Sequence, residues 1–198
     1  QTVISEPVKE EYNPTYSSTF DRVNKRGYVI CGTNDEFPGF SQNSWNSEDG
    51  SRWEGFDVDI CRAVAAAMFG DADAIEFTIV NGKTRFEFLI DGSIDILSAA
   101  TTFTYTRNVA KKLEFMPTTY YDGQGFIVRK TLGVSSAKQM EGARICFSGS
   151  GTAAKNIADY MELHGISYIP VAVKPTEKTK NVYKRGDCDM YGTDRSGL

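Results

Sequence analysis

The chain has 198 residues, 40% of them hydrophobic and 24% charged, with a formal net charge of −4. That length can bury a core in one domain or in two small ones, and the acidic balance argues against a nucleic-acid partner, which would call for a basic face. No apolar run approaches the roughly 18 residues that a membrane-spanning helix needs.

Residues 1–18 carry two prolines, Pro7 and Pro14, among acidic and hydroxyl residues, and read as an N-terminal extension without sustained periodicity. Ser18-Thr19-Phe20-Asp21 then starts a short helix to Arg26, stopped by Gly27. Tyr28–Gly32 is a strand. Asn34 to Trp53, rich in Ser, Asn, Gly and Asp, reads as a loop with Phe37-Pro38-Gly39-Phe40 as its apolar anchor. A helix over Phe56–Phe69 keeps Val58, Cys61, Ala65 and Met68 near one face, and Asp57 and Asp59 sit favourably in its first turn. Ala74–Val80 is a strand, Thr84–Ile90 a helix ended by Asp91-Gly92, and Ile94–Leu97 a strand.

This β-α-β-α-β order predicts a parallel sheet with right-handed crossovers. After Gly142 the same grammar returns: strand Arg144–Phe147, Gly/Ser turn Ser148–Thr152, helix Ala153–His164, strand Tyr168–Val173, helix Glu177–Lys184 and strand Cys188–Thr193. Asp91-Gly92-Ser93-Ile94-Asp95 and Arg185-Gly186-Asp187-Cys188-Asp189 share one pattern, a helix end, a glycine turn, then a strand carrying an aspartate. Asp95 and Asp189 are therefore expected to be structural, bonding nearby backbone. The fold class is α/β, in two similar lobes, and open α/β folds bind ligands at the carboxyl ends of their strands.

The four cysteines, Cys31, Cys61, Cys146 and Cys188, show no close Cys-x-x-Cys spacing, and His164 is the single histidine, so no metal site is expected. Disulfides Cys31–Cys61 and Cys146–Cys188 would divide cleanly between the lobes and imply an oxidising compartment; four buried free thiols are the alternative.

Gly92 to Phe126 is the segment richest in chemistry. A buried strand runs into Ser98, Ala99, Ala100, Thr101 and Thr102, and Arg107 then opens a short basic helix over 107–112. Amides, hydroxyls and a guanidinium gathered at one strand end suit a carboxylate, because arginine offers a planar fork of donors and stays charged. Taken alone, Arg107 could instead be a solvated helix-opening charge, Asp194 an N-cap, and Phe37 a core residue. Ser148–Thr152 is not a phosphate loop, since no Gly-Lys-Ser/Thr follows.

In order and spacing, Gly55-Phe56-Asp57-Val58-Asp59, Gly92-Ser93-Ile94-Asp95, Thr102 with Arg107, Tyr120-Tyr121 and Gly192-Thr193-Asp194 resemble the amino-acid-binding proteins of bacterial ABC importers. These are the extracellular solute-binding proteins of family 3, and the four cysteines with Tyr121–Phe126 point to the general L-amino-acid branch. The resemblance covers residues 19–198 and implies a type II periplasmic-binding-protein fold, with lobe one over 19–122 and an incomplete lobe two over 123–198. It implies a forked salt bridge from Arg107 to the ligand α-carboxylate, helped by Thr102, the backbone at Ala100 and the turn Ser150-Gly151-Thr152. Asp194 would accept from the α-ammonium, and Phe37 and Asn34 would line the pocket wall.

By the same resemblance the partners are a free L-amino acid and the membrane subunits of an ABC permease, in the periplasm, with no cofactor and no enzymatic activity. One alternative is an enzyme resembling cyclohexadienyl dehydratases, with Glu36, Asp35 or Asp122 as its acid. Another is a truncated, non-transporting paralogue that self-associates to cover uncovered surfaces. Two departures from the family stand out. The branch usually has a basic residue where Ala99 or Ala100 stands, and its loss speaks against a preference for acidic amino acids and opens the site to a smaller or apolar ligand side chain. The chain also stops at Leu198, where the family continues with further elements of both lobes.

Overall fold

The computed structural model describes residues 18–44, 52–111, 113–174 and 177–198. The expected extension up to residue 17, the loop residues 45–51, Lys112 at the end of the basic helix and residues 175–176 lie outside the described residues. The chain divides into two compact units, one ending at Glu114 and the next beginning at Phe115.

The first unit opens with α1 (Thr19–Arg26) and β1 (Val29–Thr33). Ser18 caps α1 by accepting the Asp21 N–H at 3.2 Å, and Lys25 and Arg26 lie in its last turn, where cations suit the helix dipole. Next come β2 (Glu36–Phe37), β3 (Ser41–Ser44), β4 (Arg52–Glu54), α2 (Phe56–Phe69), β5 (Ile75–Ile79), α3 (Arg85–Ile90) and β6 (Ile96–Leu97). Strands β5, β1 and β6 form a parallel sheet in that order. Along β1 the side chains alternate between its two faces. Val29 packs with Val23 and Ala65 under α1 and α2, while Ile30 packs with Val80 and Ile94 on the side of α3.

Two expectations for this unit need correction. The stretch from Asn34 to Trp53 is not all loop, because β2, β3 and β4 form an antiparallel three-stranded sheet. Ser41-Gln42-Asn43-Ser44 has no apolar alternation; its inward residues are the buried polar Ser41 and Asn43, so a hydrophobicity pattern cannot reveal it. The basic helix after Thr104 is one π-helical turn, Thr106–Ala110, in which the Lys111 N–H reaches back to the Thr106 carbonyl.

The second unit holds β7 (Gln124–Val128), 3₁₀ turns at Lys130–Leu132 and Ala137–Gln139, β8 (Arg144–Ser148), α4 (Ala153–Leu163), β9 (Ile169–Val173), α5 (Thr179–Arg185), β10 (Met190–Asp194) and a 3₁₀ turn at Arg195–Gly197. Its sheet runs β7-β10-β8-β9, with β7 antiparallel and the others parallel. β7 carries no clear strand signature in the sequence, since Gln124-Gly125 opens it with a polar residue and a poor strand former. In β8, Ile145 and Phe147 join Ile157, Met161 and Met190 on one face, and Cys146 meets Val173, Val182 and Cys188 on the other.

Both expected disulfides are formed, Cys31–Cys61 between β1 and α2 and Cys146–Cys188 between β8 and the approach to β10. With sequence separations of 30 and 42 residues, the chain-entropy model gives each about 4 kcal/mol of stabilisation.

The repeated glycine–aspartate pattern is realised in the same way twice. Gly92 and Gly186 take positive φ, 81° and 88°, a conformation that a β-carbon disfavours. Asp95 then accepts the Ile30 N–H at 2.8 Å and returns its own N–H to the Ile30 carbonyl. Asp189 treats Arg144 identically, at 3.0 Å and 2.8 Å. Arginines complete both carboxylates. Arg22 and Arg26 of α1 bond Asp95, and the Arg144 guanidinium bonds Asp189, holding that carboxyl below its ordinary range.

Candidate functional site

In the first unit the candidate groups gather where β1 and its parallel neighbour β6 end. The Ser98 N–H donates to the Gly32 carbonyl at 3.0 Å, extending the pairing one residue past β6, and the chain then bends at Ala100. Arg107 follows on the π-helical turn. It is only 8% exposed, which removes the solvated-charge alternative. Its Nη1 donates to the Thr102 carbonyl at 2.7 Å, and its guanidinium lies 5.2 Å from the centre of the buried Phe86 ring. Arg85 and Lys111 approach the same ring, at 4.8 Å and 5.4 Å. Three cations thus gather around one aromatic ring and form a basic corner. Arg85 also donates to Thr101 Oγ1 at 3.4 Å, so this corner touches the Ser98–Thr102 segment directly.

Local sequence explains how α3 delivers Arg85 and Phe86. Asn81 Oδ1 accepts the N–H groups of Lys83 and Thr84, at 2.8 Å and 3.1 Å, and Thr84 Oγ1 accepts that of Asn81. Such an Asx turn fixes the entry into the helix.

The Ser98–Thr102 segment is itself held by a residue that the sequence presents as a helix-start aspartate within the Gly55–Asp59 motif. Asp57, in the first turn of α2, is 5% exposed. Its Oδ1 accepts the Ser98 hydroxyl and its Oδ2 accepts the Ala100 N–H, each at 3.0 Å. Burial pushes the Asp57 carboxyl up from its ordinary value, and these two hydrogen bonds oppose the rise. The Ala100 amide is thus committed to Asp57. Thr102 is exposed, while Ala99 is buried with Val80 and Ile94.

Asn34 and Phe37 lie just past the end of β1. Asn34 is half-buried, and Phe37 stacks on Phe40 at 4.9 Å, with Phe40 meeting the edge of Phe56 at 6.0 Å. The expected apolar anchor therefore seats the small antiparallel sheet on the start of α2.

In the second unit, Gly151, Thr152 and Asp194 emerge at the same end of the adjacent parallel strands β8 and β10. Gly151 is exposed, and half-buried Thr152 stands at the N-cap of α4, where backbone N–H groups and the helix dipole favour an anion. Asp194 is half-buried before the turn Arg195–Gly197, whose N-cap position it occupies without a side-chain cap hydrogen bond. Burial raises the nearby Tyr191 phenol, and the Asp194 charge adds to that rise. Two open hollows of about 500 Å³ lie elsewhere. One is lined by Gln124, Phe126, Val134 and Leu198 and the other by Arg52, Trp53, Arg62 and Phe77, and neither takes an expected site residue.

The model of the bacterial extracellular solute-binding proteins, family 3, matches residues 29–190. The chain belongs to this family. Over 182 residues it is 43% identical to the general L-amino acid-binding periplasmic protein AapJ of Rhizobium johnstonii, covering 92% of this chain and 52% of that protein. It is 41% identical to the glutamate/glutamine/aspartate/asparagine-binding protein BztA of Rhodobacter capsulatus, covering 92% of this chain and 53% of that protein. A solved structure, the ABC transporter/periplasmic binding protein from Brucella ovis with glutathione bound, matches with a TM-score of 0.85 and 39% identity, over 92% of this chain and 56% of that one. This family-3 chain thus spans about half the length of the relatives it matches, and its fold is that of the type II periplasmic binding proteins.

Proposed function

We propose that the chain binds a free L-amino acid in the periplasm for delivery to the membrane subunits of an ABC permease, and that it is not an enzyme. The observation that carries this reading is the buried Arg107 at the carboxyl end of a parallel sheet, held by the Thr102 carbonyl and the Phe86 ring. A guanidinium fixed in this way takes an α-carboxylate with little loss of side-chain freedom. Gly151 and Thr152 add donors to that carboxylate, Asp194 accepts from the α-ammonium, and Asn34 and Phe37 flank the aliphatic part. The ligands in the names of AapJ and BztA support an amino acid. Arg85, which meets Thr101, and Lys111, which shares the Phe86 ring with it, extend the choice to polar and acidic side chains, although Ala99 and Ala100 lack a base.

The dehydratase alternative draws no comparable support. Burial pushes Asp122 up, but hydrogen bonds from Ser196 and Gly123 outweigh it and hold that carboxyl low, the wrong direction for a general acid. Self-association finds no support among the relatives either. The test is a thermal-shift screen of the chain against the common L-amino acids. Upward shifts with a subset are expected, because a ligand that binds only the native state stabilises it by mass action. A flat screen from a cooperatively folding chain overturns the proposal.

A further inference from the structure

We propose that Asp57 is a positioning residue for ligand recognition, its carboxylate clamping Ser98 to Ala100 into the bend that presents Thr101 and Thr102 at the binding end of the first unit. This deepens the amino-acid-binding reading and rests on it. Two aspartates share the first turn of α2, and their fates differ. The Asp59 side chain is 74% exposed and meets Arg62 at 4.0 Å, as a dipole-facing surface carboxylate should. Asp57 is buried, and a buried carboxylate is strongly disfavoured unless donors surround it. Its donors are the Ser98 hydroxyl and the Ala100 N–H.

What the clamp holds is unusual. Ala100 has φ +45°, the only positive value at a non-glycine position among the described residues. Alanine does not choose that conformation by itself, so the surroundings must impose it, and such residues collect at functional sites. Both jaws are fixed to one strand. Ser98 is bonded to Gly32 of β1, and Asp57 stands one helical turn before Cys61, whose disulfide partner Cys31 also lies in β1. The Asp57 N–H is in turn accepted by the Phe40 carbonyl at 2.8 Å. A bend fixed at both jaws is already ordered before ligand arrives, and affinity benefits from that preorganisation.

The experiment is a thermal-shift screen of the wild-type chain against the common L-amino acids, then calorimetric titration of the one giving the largest shift into the wild-type chain, Asp57→Ala, Asp57→Asn and Asp59→Ala, with amide hydrogen exchange measured at Ala100. Asp57→Asn can keep both contacts, its oxygen accepting from Ala100 and its amide donating to the Ser98 oxygen. We expect Asp57→Ala to weaken binding by about tenfold or more and to speed Ala100 exchange. Asp57→Asn should stay within about threefold of wild type, and Asp59→Ala should match it. Wild-type affinity in a folded Asp57→Ala, or equal losses in Asp57→Ala and Asp57→Asn, overturns the positioning role alone. A wild-type chain whose melting no common L-amino acid shifts overturns the underlying reading and this role with it. If Asp57→Ala does not fold, Ser98→Ala removes one jaw and carries the test, with weakened binding expected and unchanged affinity overturning the role.

Discussion

Asp95 and Asp189 occupy matching places in the two units, yet neutralising them should have very different consequences. Each accepts a backbone N–H from the start of a neighbouring strand and each meets arginine. The difference is water. The Asp95 side chain is 1% exposed, with Arg26 at 7% and Arg22 at 18%. Asp189 and Arg144 are 37% and 43% exposed. Asp95→Asn leaves two poorly solvated guanidiniums facing a neutral amide, and breaking such a buried pair costs about 3–5 kcal/mol. Asp189→Asn removes a solvent-screened pair that contributes little and keeps an acceptor for the Arg144 N–H. At roughly 4–8 °C per kcal/mol for a unit of this size, the first variant should melt at least about 12 °C lower and the second within a few degrees of wild type. Tryptophan fluorescence isolates the first unit, because both tryptophans, Trp45 and Trp53, precede Glu114; far-ultraviolet circular dichroism follows the whole chain. Equal losses, or a larger loss at Asp189, would refute the argument from burial.

Three further outcomes follow from the same structure. Replacing Cys31 and Cys61 by serine should lower the stability of the first unit by about 4 kcal/mol in urea denaturation, and reducing Cys146–Cys188 should do the same for the second; a change under about 1 kcal/mol contradicts the loop-closure account. The raised native value of Asp57 means that its favourable contribution is fully present below about pH 4 and is lost as pH rises through that raised value. The stability of wild type relative to Asp57→Asn should therefore fall as pH increases from about 4, and a difference that is flat or rising with pH contradicts the sign. Arg85→Ala should weaken binding of L-glutamate more than that of L-alanine, read as the ratio of the two dissociation constants; an unchanged ratio removes Arg85 from side-chain recognition.

The parts of the fold that were legible in the sequence are those whose causes are local. The apolar faces of α2 and α4, the turn at Gly92 and its counterpart at Gly186 are each set by residues close to one another in sequence. They even identified Asp95 and Asp189 as backbone-bonding groups. What escaped has non-local causes. β3 is a strand because hairpin partners take up the backbone groups of polar Ser41–Ser44. Asp57 looked like a helix-start charge because its partners, Ser98 and Ala100, come 41 and 43 residues later. Arg107 could be recognised by resemblance, but its burial depends on Phe86 in another helix, which no spacing rule connects to it.

If Arg107 binds the α-carboxylate of an amino acid, its removal must abolish recognition. The most direct measurement is calorimetric titration of the L-amino acid giving the largest thermal shift into wild-type chain and into Arg107→Ala. Saturable binding to wild type and none to the variant is expected while both unfold cooperatively, since the carboxylate would lose its charged partner. Equal affinity in the two proteins would contradict it.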